Sequence, residues 1–345
     1  MALSENVKSL LSEVFGDRAK ESKLSPTLRG KTIVVYGTNN VGKTQQSSKF
    51  KNPIFMPFEK GMNGTSGNVV LQNTNWADVK KNIKLLSSKK MKKALDSGEQ
   101  MTVIWDGFEK AGFYCQKFIE EKYDVFDIAE GNGGYGLWKQ YEKEFWMEVD
   151  QLLAIGYTVV FIGHIATNKE LGDILYPAGD KRCVKPIVDN ADIVAYIHPN
   201  GVDDVGKEIP SSAYLVQTDK FYGRSRFTYI DKLIPKFKAE SLEKAIVEGI
   251  KKELEIKDET AVDYDEQQKI YEGEEITYDQ LIEDIKQAYL KLRELESLEA
   301  YDEIVSEHLG EGKLVSEASK KQLQPLMCIK DDLIDKIHEL ESEQE

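Results

Sequence analysis

Apolar residues along this chain follow two different rhythms. Between residues 29 and 240, short unbroken apolar runs alternate with stretches of helical spacing. Ile33-Val34-Val35-Tyr36, Met101-Thr102-Val103-Ile104-Trp105 and residues 157–162 are strand-length and, apart from Thr102 and Thr158, apolar, as expected of strands buried on both faces. Pro53-Ile54-Phe55-Met56-Pro57-Phe58 is a further strand candidate. Its two prolines cannot donate ladder hydrogen bonds, so an edge or irregular position is expected. Residues 193–197, 213–218 and 227–230 are expected as later strands. Over 139–155 a helix is expected, with Trp138, Tyr141, Phe145, Val149, Leu152 and Leu153 along one face as core. Strands separated by helices predict an α/β fold with a mostly parallel sheet covered on both sides.

The flanking segments read differently. Val7, Leu10, Leu11, Val14 and Phe15 take helical spacing, so a short amphipathic helix opens the chain and ends by Leu24-Ser25-Pro26. From residue 241 the pattern is helical. Thr277-Tyr278-Asp279-Gln280 fits a capping box. Leu281, Ile285, Ala288, Leu292 and Leu295 form one stripe, and Leu323, Leu326, Leu333, Ile337 and Leu340 a second, with Gly310 and Gly312 between them. A helical hairpin or small helical domain is expected, with a possible coiled-coil contact. The resulting division is an N-terminal helix and linker (1–28), an α/β domain (29–240) and a helical C-terminal domain (241–345). Two loops stand out: the glycine-rich 130–136, expected to be mobile, and 165–190, which lacks a clear period and follows a strand.

Charge sharpens that division. Residues 241–345 hold 13 Lys and Arg against 30 Asp and Glu, while the first 240 hold 33 against 30. The acidic third repels nucleic acid and suits a basic protein partner or a solvated surface. Three dispersed cysteines and four histidines show no metal-ligand spacing and suit a reducing compartment. Residues 1–22 lack the long apolar core of a secretory signal, and no apolar run reaches the length of a membrane span. A cytoplasmic location is expected.

The chemistry begins directly after the first strand. Gly37-Thr38-Asn39-Asn40-Val41-Gly42-Lys43-Thr44 spells G-x-x-x-x-G-K-T, a P-loop between a buried strand and a helix. Its glycines let successive N–H groups point at phosphate oxygens. Lys43 can reach the β- and γ-phosphates, and the Thr44 hydroxyl can sit on Mg²⁺. Gln45 follows in the same nucleotide-binding stretch. ATP and Mg²⁺ are the expected ligands.

Four further positions complete a candidate site. Asp106 ends the strand that begins at Met101, where an acidic residue can hold Mg²⁺ through water. Glu59, beyond the proline-flanked strand, and Glu109, just past Asp106, compete as general base. His164 follows Val160-Phe161-Ile162-Gly163 at a strand end, where a polar group can sense the γ-phosphate. Lys220-Phe221-Tyr222-Gly223-Arg224-Ser225-Arg226-Phe227 interleaves cations with aromatics. Arg224 or Arg226 could serve a neighbouring subunit's phosphate, or the segment could hold nucleic acid. Lys80, Lys81, Lys84, Lys89, Lys90, Lys92 and Lys93 make a dense basic run that could track phosphates or simply face solvent.

Together these residues resemble the RecA-like P-loop ATPases of bacteriophage recombination modules, in particular the phage ATP-binding proteins related to single-strand annealing ATPases. The resemblance spans roughly residues 29–235. It rests on the P-loop, Phe58-Glu59, Asp106, Gly134-Tyr135-Gly136, the run from Gly156 to His164, and Asn190-Ala191-Asp192-Ile193-Val194. It implies Glu59 as catalytic base, Asp106 as the Mg²⁺ helper, and a basic-aromatic hairpin that meets the next subunit of a homo-oligomer. In AAA+ proteins the catalytic glutamate directly follows the aspartate; here Gly107 stands there, which favours Glu59 over Glu109. A DNA-dependent ATPase of recombination, annealing or replication is the function implied, with single-stranded DNA as partner and the host cytoplasm as location if phage-encoded. The alternative is a nucleotide-switched assembly protein that recruits a partner through 241–345 without binding DNA. A small-molecule phosphotransferase ranks last, because 165–190 carries only one arginine, Arg182.

Overall fold

The computed structural model describes residues 4–271 and 276–342. The chain divides into two compact units, Met1–Ile270 and Tyr271–Glu345. Among the described residues, a nine-stranded sheet forms the middle layer of the first unit. In chain order its strands are β1 (Thr32–Gly37), β2 (Pro53–Pro57), β3 (Val69–Val70), β4 (Thr102–Asp106) and β5 (Thr158–Gly163). After a separate antiparallel hairpin, β6 (Ile165–Asn168) and β7 (Ile174–Pro177), come β8 (Ile193–His198), β9 (Ser212–Tyr214), β10 (Arg224–Ser225) and β11 (Leu233–Ile234). The spatial order is β11-β9-β8-β1-β5-β4-β2-β3, with β10 also beside β8. From β8 to β3 every pairing is parallel; β9, β10 and β11 join antiparallel. The mostly parallel α/β architecture expected from the alternation of runs is therefore present, and it is that of a P-loop NTPase.

Alternation along the strands builds two cores. Val34, Tyr36, Val103, Trp105, Val159 and Phe161 face one side. There they meet the helices α3 (Trp76–Leu86), α5 (Phe108–Lys122), α6 (Trp138–Ala154) and α7 (Lys181–Asn190); α1 (Glu5–Phe15), α2 (Lys43–Ser47) and α4 (Lys89–Asp96) complete the helix numbering up to α7. Tyr141, Phe145, Val149 and Leu152 are the buried stripe of α6, as its spacing requires. Ile33, Val35, Ile104, Val160 and Ile162 face the other side. That face is closed by Leu242, Ile246, Ile250 and Leu254 of α8 (Ala239–Lys257).

The place of α8 shifts the expected domain boundary. Its stripe has the same period as the later helices, yet it packs on the sheet. Residues beyond it also return to the first unit. Arg29 pairs with Asp265 at 2.9 Å, and the Val262 amide donates to Leu24 O. The Tyr264 ring, on α9 (Tyr264–Gln268), lies where side chains on Gly30 and Gly156 would stand. The first unit therefore runs to residue 270, not 240.

Among its described residues the second unit has three α-helices, α10 (Tyr278–Glu294), α11 (Leu298–Leu309) and α12 (Leu323–Ser342). Thr277 and Gln280 form the expected capping box. Leu281, Ile285, Ala288 and Leu292 of α10 cluster with Leu326, Ile329, Leu333 and Ile337 of α12. An intervening helix, α11, separates the two stripes that the sequence pattern places on either side of the glycines.

Other expectations change in detail. β2 is one strand in from the edge, and β3 pairs only with Ile54 and Phe55, clear of both prolines. Residues 227–230 form a turn rather than a strand, although Phe227 and Ile230 are buried in the second core. The 165–190 segment is ordered as the β6–β7 hairpin and α7. Residues 130–136 are drawn into short 3₁₀ turns, with the Gly134 and Gly136 amides both donating to Gly131 O. Helix α1 forms as expected, but it buries no residue: Val7, Leu10, Val14 and Phe15 stay exposed. Among the described residues no helix is long and apolar enough to cross a membrane.

Candidate functional site: a phosphate loop at the ends of four parallel strands

Parallel register gathers the site. Tyr36 of β1 pairs with Gly163 of β5, Ile162 of β5 with Asp106 of β4, and Asp106 with Pro57 of β2. Four adjacent strands therefore end at one level. The residues that leave them enter one crevice, as parallel sheets generally arrange. Two further backbone bonds extend the ladder past the strands: the Phe58 amide donates to Asp106 O and the Gly107 amide to Ile162 O, each at 2.9 Å. Glu59, Asp106 and His164 are thus fixed relative to the loop after β1. A cavity of about 380 Å³ is lined by Asn39, Asn40, Gly42, Lys43, Thr44, Gln45, Glu59, Asp106 and His164, among others.

The P-loop holds Lys43 curled over its own backbone. The ammonium donates to the carbonyls of Gly37 at 2.9 Å and Thr38 at 2.6 Å. Burial lowers its pKa, while the carboxylates of Asp106, Glu109 and Glu59 oppose that shift. Helix α2 spans only five residues. A dipole that short is weak, so loop N–H groups and Lys43 carry most of the attraction for phosphate.

Thr44 and Asp106 meet beside the P-loop. The Thr44 hydroxyl lies 3.1 Å from both carboxylate oxygens of Asp106. Asp106 is fully buried, and its pKa is pushed up to about 6. Burial is the main cause, and Glu59 and Glu109 add to it; the Thr44 hydrogen bond and Lys43 pull the other way. The carboxylates of Asp106, Glu59 and Glu109 outnumber the ammonium groups of Lys43 and Lys110. A hydroxyl–carboxylate pair in that setting fits Mg²⁺.

The two candidate bases occupy different places. Glu59 lines the cavity, with Oε2 3.3 Å from Lys110 Nζ and Oε1 3.9 Å from His164 Nε2. Gly107 explains how it fits. That residue has φ of 82°, and a Cβ there would stand 3.0 Å from Glu59 Cγ. The glycine after Asp106 thus makes room for the carboxylate arriving from the neighbouring strand. Glu109 sits behind His164: its Oε1 bonds His164 Nδ1, and its Oε2 is buried without a partner. Sequence reading found all three residues but not this pairing, which depends on the adjacency of β4 and β5.

Arg224 lies elsewhere. It pairs with Val194, near the start of β8, so it stands at the end of the sheet away from the P-loop. Its guanidinium donates to Asp189 O at 2.7 Å and to Val188 O, holding the C-terminal carbonyls of α7. Arg226 is likewise engaged by Asp189 O and Asp192. Beside the P-loop, on the β9 side, a second cavity of about 440 Å³ is lined by Asn40, Val41, Gln45, Gln46, Pro210 and Phe237. Sequence pattern gave no sign of it, because its walls come from segments 170 residues apart.

The hairpin β6–β7 starts directly at His164. The Ala178 amide donates to His164 O at 2.9 Å. Tyr36, on the P-loop strand, donates its hydroxyl to Leu175 O on β7 and to Tyr222 O.

Comparison with known proteins agrees with this geometry. Residues 29–227 match the model of the AAA domain family. The SPbeta prophage-derived uncharacterized protein YorG of Bacillus subtilis (strain 168) is 43% identical over 320 residues, covering 92% of this chain and 97% of its own. A solved KaiC-like protein of Pyrococcus horikoshii OT3 matches at 10% identity and a TM-score of 0.32, over 57% of this chain and 84% of that one. With the P-loop inside the matched span, the chain belongs to the AAA domain family.

Proposed function

We propose that this chain is a Mg²⁺-dependent ATPase whose turnover responds to single-stranded DNA. The observation that carries the first part is the convergence of Lys43, the Thr44–Asp106 pair and Glu59 in one crevice. ATP lies with its phosphates in the P-loop and its nucleoside toward the cavity at Gln45, Gln46 and Phe237. Glu59 accepts a proton from water as the water oxygen bonds to the γ-phosphorus. The bond from that phosphorus to the β,γ-bridging oxygen breaks, and ADP and inorganic phosphate leave. Lys43 turns from the loop carbonyls to the phosphates. Thr44 and Asp106 would hold Mg²⁺, which would supply charge neutralisation on the phosphates.

His164 is assigned the γ-phosphate contact. Its place at the root of the β6–β7 hairpin gives it a covalent route to that segment. Glu109 orients the imidazole, and Arg224 is assigned to holding α7 rather than to phosphate charge. The DNA partner and assembly into a homo-oligomer come from the resemblance to phage recombination ATPases. Recruitment of a protein partner through the acidic C-terminal residues belongs to the alternative reading, a nucleotide-switched assembly protein that does not bind DNA.

Glu59→Gln tests it. ATP binding is expected to persist, with turnover reduced on the order of a hundredfold or more. Normal turnover in Glu59→Gln, with loss in Glu109→Gln, would move the base to Glu109. Adding a single-stranded oligonucleotide to the parent chain is expected to raise turnover. If the parent binds ATP yet hydrolyses none, with or without DNA, the nucleotide-switched assembly role replaces the enzymatic one.

A further inference from the structure

The lysine run of residues 80–93 separates into two kinds in the fold. Lys80 turns inward. It pairs with Glu144 and, at 3.1 Å, with Glu148, and Glu144 also accepts from Trp76 Nε1 at 3.2 Å. Lys81, Lys84, Lys89, Lys90, Lys92 and Lys93 are all exposed. Among the described residues, no side-chain hydrogen bond or ion pair engages any of these six ammonium groups. The nearby acidic groups act elsewhere or at longer range. Asp78, one turn before Lys81, bonds Thr74, and Asp96 pairs with Arg29 at 3.1 Å.

The fold does not require these lysines. Helix α4 buries only Leu95, with Met91 partly covered. Lys89 and Lys90 open α4 with no acidic residue in its first turn and no side-chain cap from Ser88. Cations there oppose the helix dipole, and Lys89 with Lys92 and Lys93, or Lys90 with Lys93, repel at one-turn spacing. A polyanion laid along this face would relieve both effects. The face also lies away from the ATP crevice: the chain leaves α4 and enters the first residue of β4, whereas Asp106 is its last.

We propose that the exposed face of α3 and α4 binds the phosphate backbone of nucleic acid through charge alone. The only aromatic residue in the two helices is Trp76, which is 1% exposed and already bonded, so no base stacks there. Recognition is then independent of sequence, and single strands and duplexes both bind. The choice of nucleic acid as the polyanion rests on the DNA partner proposed above.

The test uses the full chain and a fluorescent thirty-nucleotide strand, alone or as a duplex, titrated across a salt series without nucleotide. One variant replaces Lys81, Lys84, Lys89, Lys90, Lys92 and Lys93 with Gln. A second replaces six exposed lysines elsewhere, Lys207, Lys236, Lys238, Lys244, Lys251 and Lys252, giving the same change in net charge. The first variant is expected to bind on the order of a hundredfold more weakly at low salt. Its log–log salt slope for single strands is expected to flatten by about 4, or ~0.7 per lysine. The second variant is expected to change far less. ATP binding and thermal unfolding report whether each variant is folded. Parent-like binding by the first variant, or equal losses in both, would overturn the assignment while leaving a DNA-responsive ATPase standing. Failure of the parent to bind either nucleic acid would remove the DNA reading as well.

Discussion

The two units solve the same packing problem and end with different surfaces. Each buries an apolar stripe or face and leaves most of its polar residues outside. In the first unit the parallel sheet brings the ends of β1, β5, β4 and β2 to one level, so Lys43, His164, Asp106 and Glu59 converge. In the second, three helices spread polar residues along their lengths. Residues 271–345 hold 8 basic against 21 acidic side chains, while residues 1–270 hold 38 against 39. A parallel sheet concentrates chemistry at an edge; a small bundle distributes charge over a surface. The first unit therefore presents a site, and the second presents a field.

If the units are separate in stability as well as in packing, where the chain is cut decides everything. Ending it after residue 240 removes α8 and exposes the second core. Four buried apolar side chains, Leu242, Ile246, Ile250 and Leu254, go with it. At about 1.5–3 kcal/mol each, that approaches the whole stability of a typical domain. The expected result is an insoluble or unfolded product. Ending the chain after residue 270 is expected to leave a folded protein with normal ATP binding. Circular dichroism and a nucleotide titration on the two truncations check this, and a folded 1–240 product would show that α8 is dispensable.

The next effect is confined to the crevice. Lys43→Ala leaves the loop without its ammonium and is expected to weaken ATP binding on the order of a hundredfold, as for loss of charge-assisted phosphate bonds. Thermal unfolding of the second unit should not move. Calorimetric titration with ATP measures it, and parent-like affinity would remove the P-loop from the binding site.

The same contrast governs how much could be read from sequence. The P-loop is contiguous, so its place between β1 and α2 is legible outright. Asp106 and Glu59 were legible because each follows a short apolar run. The pairing of Glu109 with His164 was not, since the residues are 55 positions apart and meet only because β4 lies beside β5. Nor was the reason for Gly107 visible until Glu59 arrived against it. Helix α8 was misplaced because its period is that of any amphipathic helix. Periodicity shows that a face is buried but not against what. β10 and β11 are two residues each, too short for alternation to mark.

A smaller effect tests the electrostatics of the crevice itself. Burial raises Asp106 from an ordinary value of 3.8 to about 6, so at pH 7 its ionised form is held at a disadvantage in the fold. That disadvantage is about 3 kcal/mol for roughly two pKa units. With its folded pKa above its unfolded one, the group favours the fold below pH 4 and loses that contribution as pH rises through 6. In metal-free buffer at pH 7, Asp106→Asn is expected to raise the unfolding temperature of the first unit by several degrees. The gap should close between pH 6 and pH 4, while Mg²⁺-dependent turnover is lost at every pH. A variant less stable than the parent at pH 7 would mean that the carboxylate's hydrogen bond from Thr44 outweighs its burial.

The smallest effect expected is on DNA, and it asks whether the second unit's charge matters to the first. Removing residues 271–345 takes 13 net negative charges from the chain and leaves a body near neutrality. The exposed lysines of α3 and α4 remain, and the general repulsion of phosphate falls. Single-strand affinity is expected to rise several-fold at low salt and to converge with that of the full chain as the Debye length shrinks toward ~3 Å near 1 M. The sign distinguishes two roles for the acidic unit. A gain on truncation means that its field opposes DNA and that a basic partner which neutralises it would license binding. A loss means that the unit contributes contacts of its own, despite its charge. Equal affinities at low salt would show that its charge is not felt at the lysine face, and its function would then rest on its helical surface alone.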